Sequence, residues 1–313
     1  MLSWSKRTSK VFQSAHKIPF DDDSKIVIMS DCHRGDGSWA DSFAKNQNLF
    51  TAALNVYNEK KYTYIELGDG DELWENRSLS DIISTYKDIF LLMSQFYMDG
   101  RLYFMIGNHD IAKRKMSFIK NNIEAYIDEM DGENIPLFPD IKIYEGLILK
   151  YKKTDNKIFL LHGHQVDFFN GPAWRLSKFL VRYLWKPLEI IGVNDPTSAA
   201  KNHKRRNVVE KRLIQWAKRE KQILIAGHTH RYIFSKPSNT LYFNDGSCVT
   251  KNFITAIEIV NESISLVRWS YKTKADGTVY VGKNVLAGPT KLKDYFDLIH
   301  KAPKSLAPKS FKR

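Results

Sequence analysis

Nine histidines are spread over 313 residues, and six of them crowd into four short segments. The segments are residues 26–33, ending Asp31-Cys32-His33; 104–110, ending Gly107-Asn108-His109-Asp110; 159–164, ending His162-Gly163-His164; and 224–230, ending Gly227-His228-Thr229-His230. A fifth segment of the same design, residues 65–69, ends Gly68-Asp69 without a histidine. Each is an apolar run of strand character stopped by Gly, Asp, Asn or His. Core packing or a solvated surface gives no reason for that concentration. Imidazole, carboxylate and amide groups without a thiolate are the ligand set of Mn²⁺, Fe or Zn²⁺, and not of a Cys-rich structural zinc site. Asp69 brings the single carboxylate of its segment, which places it at the centre, between two metal ions. A shared carboxylate can hold two cations roughly 3.5–4 Å apart. A water between them loses a proton near neutral pH, since even one zinc lowers a water pKa to about 7.

Five strand ends can meet only if their strands share a sheet edge. The chain reads as strand 25–31, helix 40–57, strand 62–69, helix 79–98 and strand 102–106, with one more helix to about residue 130. Strand–helix–strand repeats argue for a parallel α/β sheet, whose ligands gather at the carboxyl ends of the strands. Strands then become frequent, at 141–151, 157–161, 222–226, 240–244, 253–260 and 263–271. Asn261-Glu262 is a two-residue gap that suits a hairpin. Residues 1–24 read as an N-terminal lead-in, 25–290 as the domain, and 291–313 as a basic, flexible tail.

Between residues 168 and 221 the sheet pattern gives way to helical character. Arg175, Lys178, Arg182, Lys186 and Glu189 make one charged stripe, with apolar residues from Trp174 to Leu188 on the other faces and Pro187 ending or kinking the helix. A basic helix follows at about 199–219. The insert is either an ordinary helical subdomain or a lid that receives acyl chains or rests on an anionic membrane.

Composition bounds the setting. A chain this long with 43% hydrophobic residues buries a large core. Two cysteines, Cys32 and Cys248, make no disulfide framework and suit a reducing compartment. The first twenty residues lack the apolar core of a signal peptide, and no apolar run reaches the roughly 18 residues of a spanning helix. The expected location is the cytoplasm, with peripheral contact at the inner membrane surface. The net charge is +13. Residues 172–222 carry thirteen Lys/Arg against four Asp/Glu, and 291–313 carry seven against two, so the remainder sums to about −1. Such patches are solvated surface or attract an anionic partner: a phosphorylated substrate, a membrane or nucleic acid.

The five blocks in this order resemble the calcineurin-like metallophosphoesterase superfamily, over roughly residues 25–250. The resemblance implies a four-layer αββα sandwich with a two-metal site at the sheet edge, here with a helical lid insert at 168–221. It puts one metal on Asp31, His33, Asp69 and His230, and the other on the shared Asp69 with Asn108, His162 and His228. His164, across one glycine from His162, then sits beside the site and touches substrate. The implied metals are two divalent ions, Mn²⁺ first, with Fe or Zn²⁺ as alternatives. In many members the histidine after the ligand Asn protonates the leaving oxygen, with an acidic neighbour orienting it; these positions are His109 and Asp110. Arg34 and Arg231, each beside a ligand motif, are candidates to hold phosphate oxygens. Cys32 is expected to point into the core.

The implied activity is a binuclear metal-dependent hydrolase acting on a phosphate ester or pyrophosphate bond. The insert is similar to the lid of the UDP-2,3-diacylglucosamine pyrophosphohydrolases and points to a lipid-like or nucleotide-linked substrate. The chain departs from those enzymes at His109, where they carry arginine, and in its longer C-terminal β region. The alternatives are a nuclease or nucleic-acid phosphodiesterase, a protein serine/threonine phosphatase, and a non-catalytic interaction module. No single-strand stacking platform supports the nuclease, and the intact ligand positions argue against the module.

Overall fold

The residues of 25–29 alternate between two different cores, as a strand buried on both faces must. Val27 and Met29 join one cluster, Ile26 and Ile28 another. The computed structural model describes residues 3–127, 132–167, 178–181 and 202–301. Its strands begin with His16–Phe20 (β1), Lys25–Met29 (β2), Thr63–Glu66 (β3), Leu102–Met105 (β4), Ala125–Ile127 (β5), Asn134–Pro136 (β6) and Ile143–Tyr144 (β7). Gly146–Tyr151 (β8), Lys157–Leu161 (β9), Ile223–Ala226 (β10), Tyr242–Asn244 (β11), Phe253–Val260 (β12), Ser263–Thr273 (β13) and Val279–Lys291 (β14) follow. The helices are Trp4–Ser14 (α1), Gln47–Glu59 (α2), Leu79–Thr85 (α3), Lys87–Met98 (α4), Met116–Asn122 (α5), His203–Glu220 (α6) and Leu292–Lys301 (α7).

One large sheet has the order β14-β13-β12-β2-β3-β4-β7, the other β1-β8-β9-β10-β11, and β5 and β6 pair antiparallel as a separate ribbon. In the first, β2, β3, β4 and β7 are parallel, and β12, β13 and β14 join antiparallel on the far side of β2. In the second, β8 and β9 are antiparallel and the other pairs parallel. The inner core between the sheets joins Ile28, Ile65 and Ile257 of one to Leu147, Leu160 and Ile225 of the other. Outside the larger sheet, α2, α3 and α4 bury Phe50, Ile82 and Met93. Outside the smaller, α1 and α6 bury Val11, Leu213 and Trp216. The result is the expected four-layer αββα sandwich.

Several boundaries differ from the sequence reading. The helix expected at 40–57 begins at Gln47, because the buried Asp41 carboxylate accepts N–H bonds from Gly35, Gly37, Phe43 and Ala44 and holds a loop there. The stretch 141–151 splits into β7 and β8, which belong to different sheets. Asn261 and Glu262 make the expected hairpin, both with positive φ, as a two-residue turn of primed type requires. The lead-in is no appendage: α1 packs on α6, and β1 is an edge strand of the smaller sheet. The segment expected to be a flexible tail from 291 likewise begins as helix α7. It buries Leu292, Tyr295 and Phe296 in the inner core, apolar residues whose spacing outweighs the surrounding lysines. Most of the 168–221 insert lies outside the described residues; its second basic helix is α6. No helix among the described residues is long and apolar enough to cross a membrane.

Candidate metal centre

The candidate ligands sit where strands β2, β3, β4, β9 and β10 end, and the chain turns there in an unusual way. Asp31, His33, Asp69, His228 and His230 all have positive φ, between 47° and 67°. That left-handed region is costly for side chains other than glycine and concentrates at functional sites. Backbone bonds hold the turns: Asp31 N–H to Gly68 O at 3.1 Å, His33 N–H to Asp69 O at 2.9 Å, and Gly227 N–H to His162 O at 3.0 Å. Gly107 allows a close approach of two of these tips. A Cβ there would lie 2.0 Å from Asp69 Oδ1 and 2.3 Å from Asp69 N.

The two carboxylates divide their oxygens. Asp31 Oδ2 accepts the His228 N–H at 2.8 Å and the Ser30 hydroxyl at 2.5 Å, leaving Oδ1 3.1 Å from His230 Nε2. Asp69 Oδ1 accepts the His109 N–H at 2.8 Å, leaving Oδ2 3.1 Å from His162 Nε2. His162 is fixed from behind, its Nδ1 2.9 Å from Leu67 O, so that Nε2 faces the cluster. His33 Nε2 and His230 Nε2 stand 3.3 Å apart. Three groups of ligand atoms converge: Asp31, His33 and His230; His33, Asp69 and His109; Asp69, His162 and His228, the atoms of each group within 4.8 Å of one another.

The electrostatics call for cations. Asp31 and Asp69 are buried, which alone would raise their pKa, yet neighbouring histidines hold both carboxyls well below the usual range. Burial pulls His162 down, but Asp69 and Asp31 outweigh it and raise it to about 9. A divalent ion held here would displace the His162 proton and face the same two carboxylates. Both amide atoms of Asn108 are buried without a hydrogen-bond partner within the chain, and Asp31 Oδ1 and His162 Nε2 face His230 Nε2 and Asp69 Oδ2 at 3.1 Å without hydrogen-bond geometry. Such groups are costly unless a ligand satisfies them. With no thiolate in the set, these donors fit hard or borderline divalent ions.

The family description "calcineurin-like phosphoesterase" matches residues 24–232, more than half of the chain. The chain belongs to that family. No curated protein matches its sequence. Solved structures similar to this chain include Vps29 of Chaetomium thermophilum, 12% identical over 84% of this chain and 96% of that one, with a TM-score of 0.39. GAP50, described as the anchor in the inner membrane complex of Plasmodium, is 13% identical over 88% and 94%, with a TM-score of 0.44. A mutant cold-active protein tyrosine phosphatase is 13% identical over 84% and 81%, with a TM-score of 0.37.

Four expected roles need correction or refinement. Arg34 is fully buried and cannot reach substrate. Its guanidinium lies between Glu66, at 2.7 and 2.9 Å, and Asp71, at 2.7 Å. Asp110 does not orient His109. Its carboxylate accepts N–H bonds from Gly107 at 2.7 Å and Gly70 at 3.2 Å and pairs with Lys113 at 3.0 Å, tying two strand tips together. Arg231 is half exposed and directs its guanidinium to Glu210 of α6, with Nε 3.0 Å from the carboxylate. His164 is buried beside His162, its Nδ1 without a partner within the chain, and burial first, then His162, pushes its pKa well down. Cys32 is buried in the outer core as expected.

The residue that orients His109 is Glu72. Its Oε1 lies 2.7 Å from His109 Nδ1 and its Oε2 2.7 Å from His33 Nδ1, so one carboxylate aims two imidazoles. Burial favours the acid, but His109 and His33 hold Glu72 well below the ordinary range, as the carboxylate. Facing a carboxylate oxygen at 2.7 Å, each Nδ1 is the donor of its bond and each Nε2 points away from Glu72. Asp167, 3.4 Å from His228 Nε2 and paired with Arg205 of α6 at 3.0 Å, is a second partner the sequence reading missed. Glu72 had one sequence signal, its place three residues after Asp69 at the same tip; Asp167 had none beyond proximity to His164.

Proposed function

We propose that this chain is a binuclear metal-dependent phosphoesterase that hydrolyses a phosphate ester or phosphoric anhydride. The observation that carries the reading is the buried cluster of unsatisfied donors around Asp69. Asp31, His33, Asp69 and His230 would hold one divalent ion; Asp69, Asn108, His162 and His228 would hold the other. When bound, the ions would supply an acidified water and positive charge opposite the phosphoryl oxygens. Glu72 keeps the His33 ring turned so that Nε2 is the ligand atom. It holds the His109 ring by Nδ1, so that a proton on Nε2 can pass to the leaving oxygen as the bond to phosphorus breaks. Water adds to phosphorus, the alcohol or phosphate leaves protonated, and His109 is re-protonated from solvent.

A lipid-like or nucleotide-linked substrate and an anionic membrane partner are the finer reading. The net charge of +13 and the exposed lysines of α6, Lys204, Lys211 and Lys218, support an anionic partner. The test is hydrolysis of chromogenic phosphate monoesters and diesters by metal-stripped protein with Mn²⁺ restored, with Asp69→Asn as control. Asparagine can still accept the His109 N–H but removes the shared charge. Mn²⁺-dependent turnover falling more than about 100-fold in the variant, beyond the 10–100-fold typical of residues behind the ligands, is the expected result. Neither turnover nor metal binding in the parent chain would move the non-catalytic module to the front.

A further inference from the structure

We infer that Trp74 is a positioning residue for proton donation by His109, acting as a flat stop against which the imidazole is held. The inference rests on the phosphoesterase reading and deepens it. The two rings are stacked, with centroids 4.3 Å apart and planes 23° from parallel. Trp74 is 2% exposed, whereas the His109 side chain keeps 19% of its surface. The indole is thus a buried strut behind a ring that still reaches the cleft.

One hydrogen bond does not fix an imidazole. The torsion that turns the ring is broad and roughly two-fold, so a bond to Nδ1 alone lets the ring rock about that anchor and swing Nε2 out of line. Glu72 Oε1 prevents the half-turn flip, because only Nδ1–H can donate to it. Trp74 removes the rocking by filling the space against one face. His33 meets the ring edge-on, with centroids 4.6 Å apart and planes at 85°. The same Glu72 oxygen accepts the Trp74 backbone N–H at 3.2 Å, so the carboxylate that anchors the ring also anchors its strut. Proton transfer to a leaving oxygen demands a donor within hydrogen-bond reach and in line, so a ring left to rock loses rate where protonation matters most.

That dependence gives the test. Trp74→Leu, Trp74→Phe, His109→Asn and the Trp74→Leu/His109→Asn double variant are assayed with Mn²⁺ on esters from 4-nitrophenyl through phenyl to alkyl leaving groups. A nitrophenolate leaves without help, whereas an alkoxide needs the proton. Trp74→Leu is expected to match the parent chain within about twofold on the 4-nitrophenyl ester and to lose about tenfold or more on the alkyl ester, within the range general acids contribute. Trp74→Phe, which keeps a stacking ring, restores most of the loss. The double variant is no slower than His109→Asn, because residues acting as a unit are non-additive. A second readout needs no turnover. In metal-free protein labelled with ¹⁵N-histidine, the resonances absent from His109→Asn broaden in Trp74→Leu and stay sharp in Trp74→Phe. Equal losses across all leaving groups, additive losses in the double variant, or unchanged histidine resonances would overturn the inference. A parent chain that neither cleaves these esters nor binds metal would sink the phosphoesterase reading itself, and this inference with it.

Discussion

Glu72 aims the rings of His33 and His109 from a single carboxylate, and both bonds depend on its charge. Glu72→Gln keeps the shape but presents an N–H to one of two rings that each need an acceptor. Metal affinity and Mn²⁺-dependent turnover are expected to fall by about 10–100-fold, the usual loss for a group behind a metal ligand. Isothermal titration of Mn²⁺ together with the ester assay checks it. Arg34 makes the opposite case, a charge with no part in the chemistry. Arg34→Met would leave Glu66 without its cation in the interior while Asp71 keeps Lys113 at 2.6 Å, at a cost of about 3–5 kcal/mol. Urea denaturation of the metal-free protein measures that loss. At this scale the sequence disclosed the cluster's members, because Asp, His and Asn at strand ends are types whose spacing is informative. It misassigned Arg34 and Asp110 because adjacency in sequence at a sharp tip does not say which way a side chain leaves it. Glu72 and Asp167 were hidden for the same reason.

Among elements, those with unbroken apolar runs were legible, and β2, β3, β4, β9, β10 and β12 all fall within their expected spans. The edge strand β14 was not, because Gly282, Gly288 and Pro289 interrupt its apolar pattern and its apolar residues are half exposed or exposed. Helix α7 was hidden by composition, its lysines being counted as tail while Leu292, Tyr295 and Phe296 face inward. Tyr295 is fully buried, with its hydroxyl donating to Ser235 O at 2.6 Å. Tyr295→Ala is expected to lower stability by about 3–5 kcal/mol, as for large aromatic truncations in cores. A shift of the urea midpoint without loss of bound metal would show that α7 clamps the inner core from outside the site.

At the scale of the molecule, the tips that gather the candidate ligands bend the wrong way for their side chains. Five residues with positive φ are held by a scaffold whose two sheets and three cores are stable enough to carry the burden. Glycine is at ease in that conformation, so His230→Gly, at a partly exposed tip, should raise the stability of the metal-free protein by about 1 kcal/mol while reducing metal affinity. Thermal melts with and without Mn²⁺ read both effects. In the language of selection, losing the chemistry is downhill for this fold. A lineage that goes on bending histidines and aspartates into that corner must be repaid by what they do there.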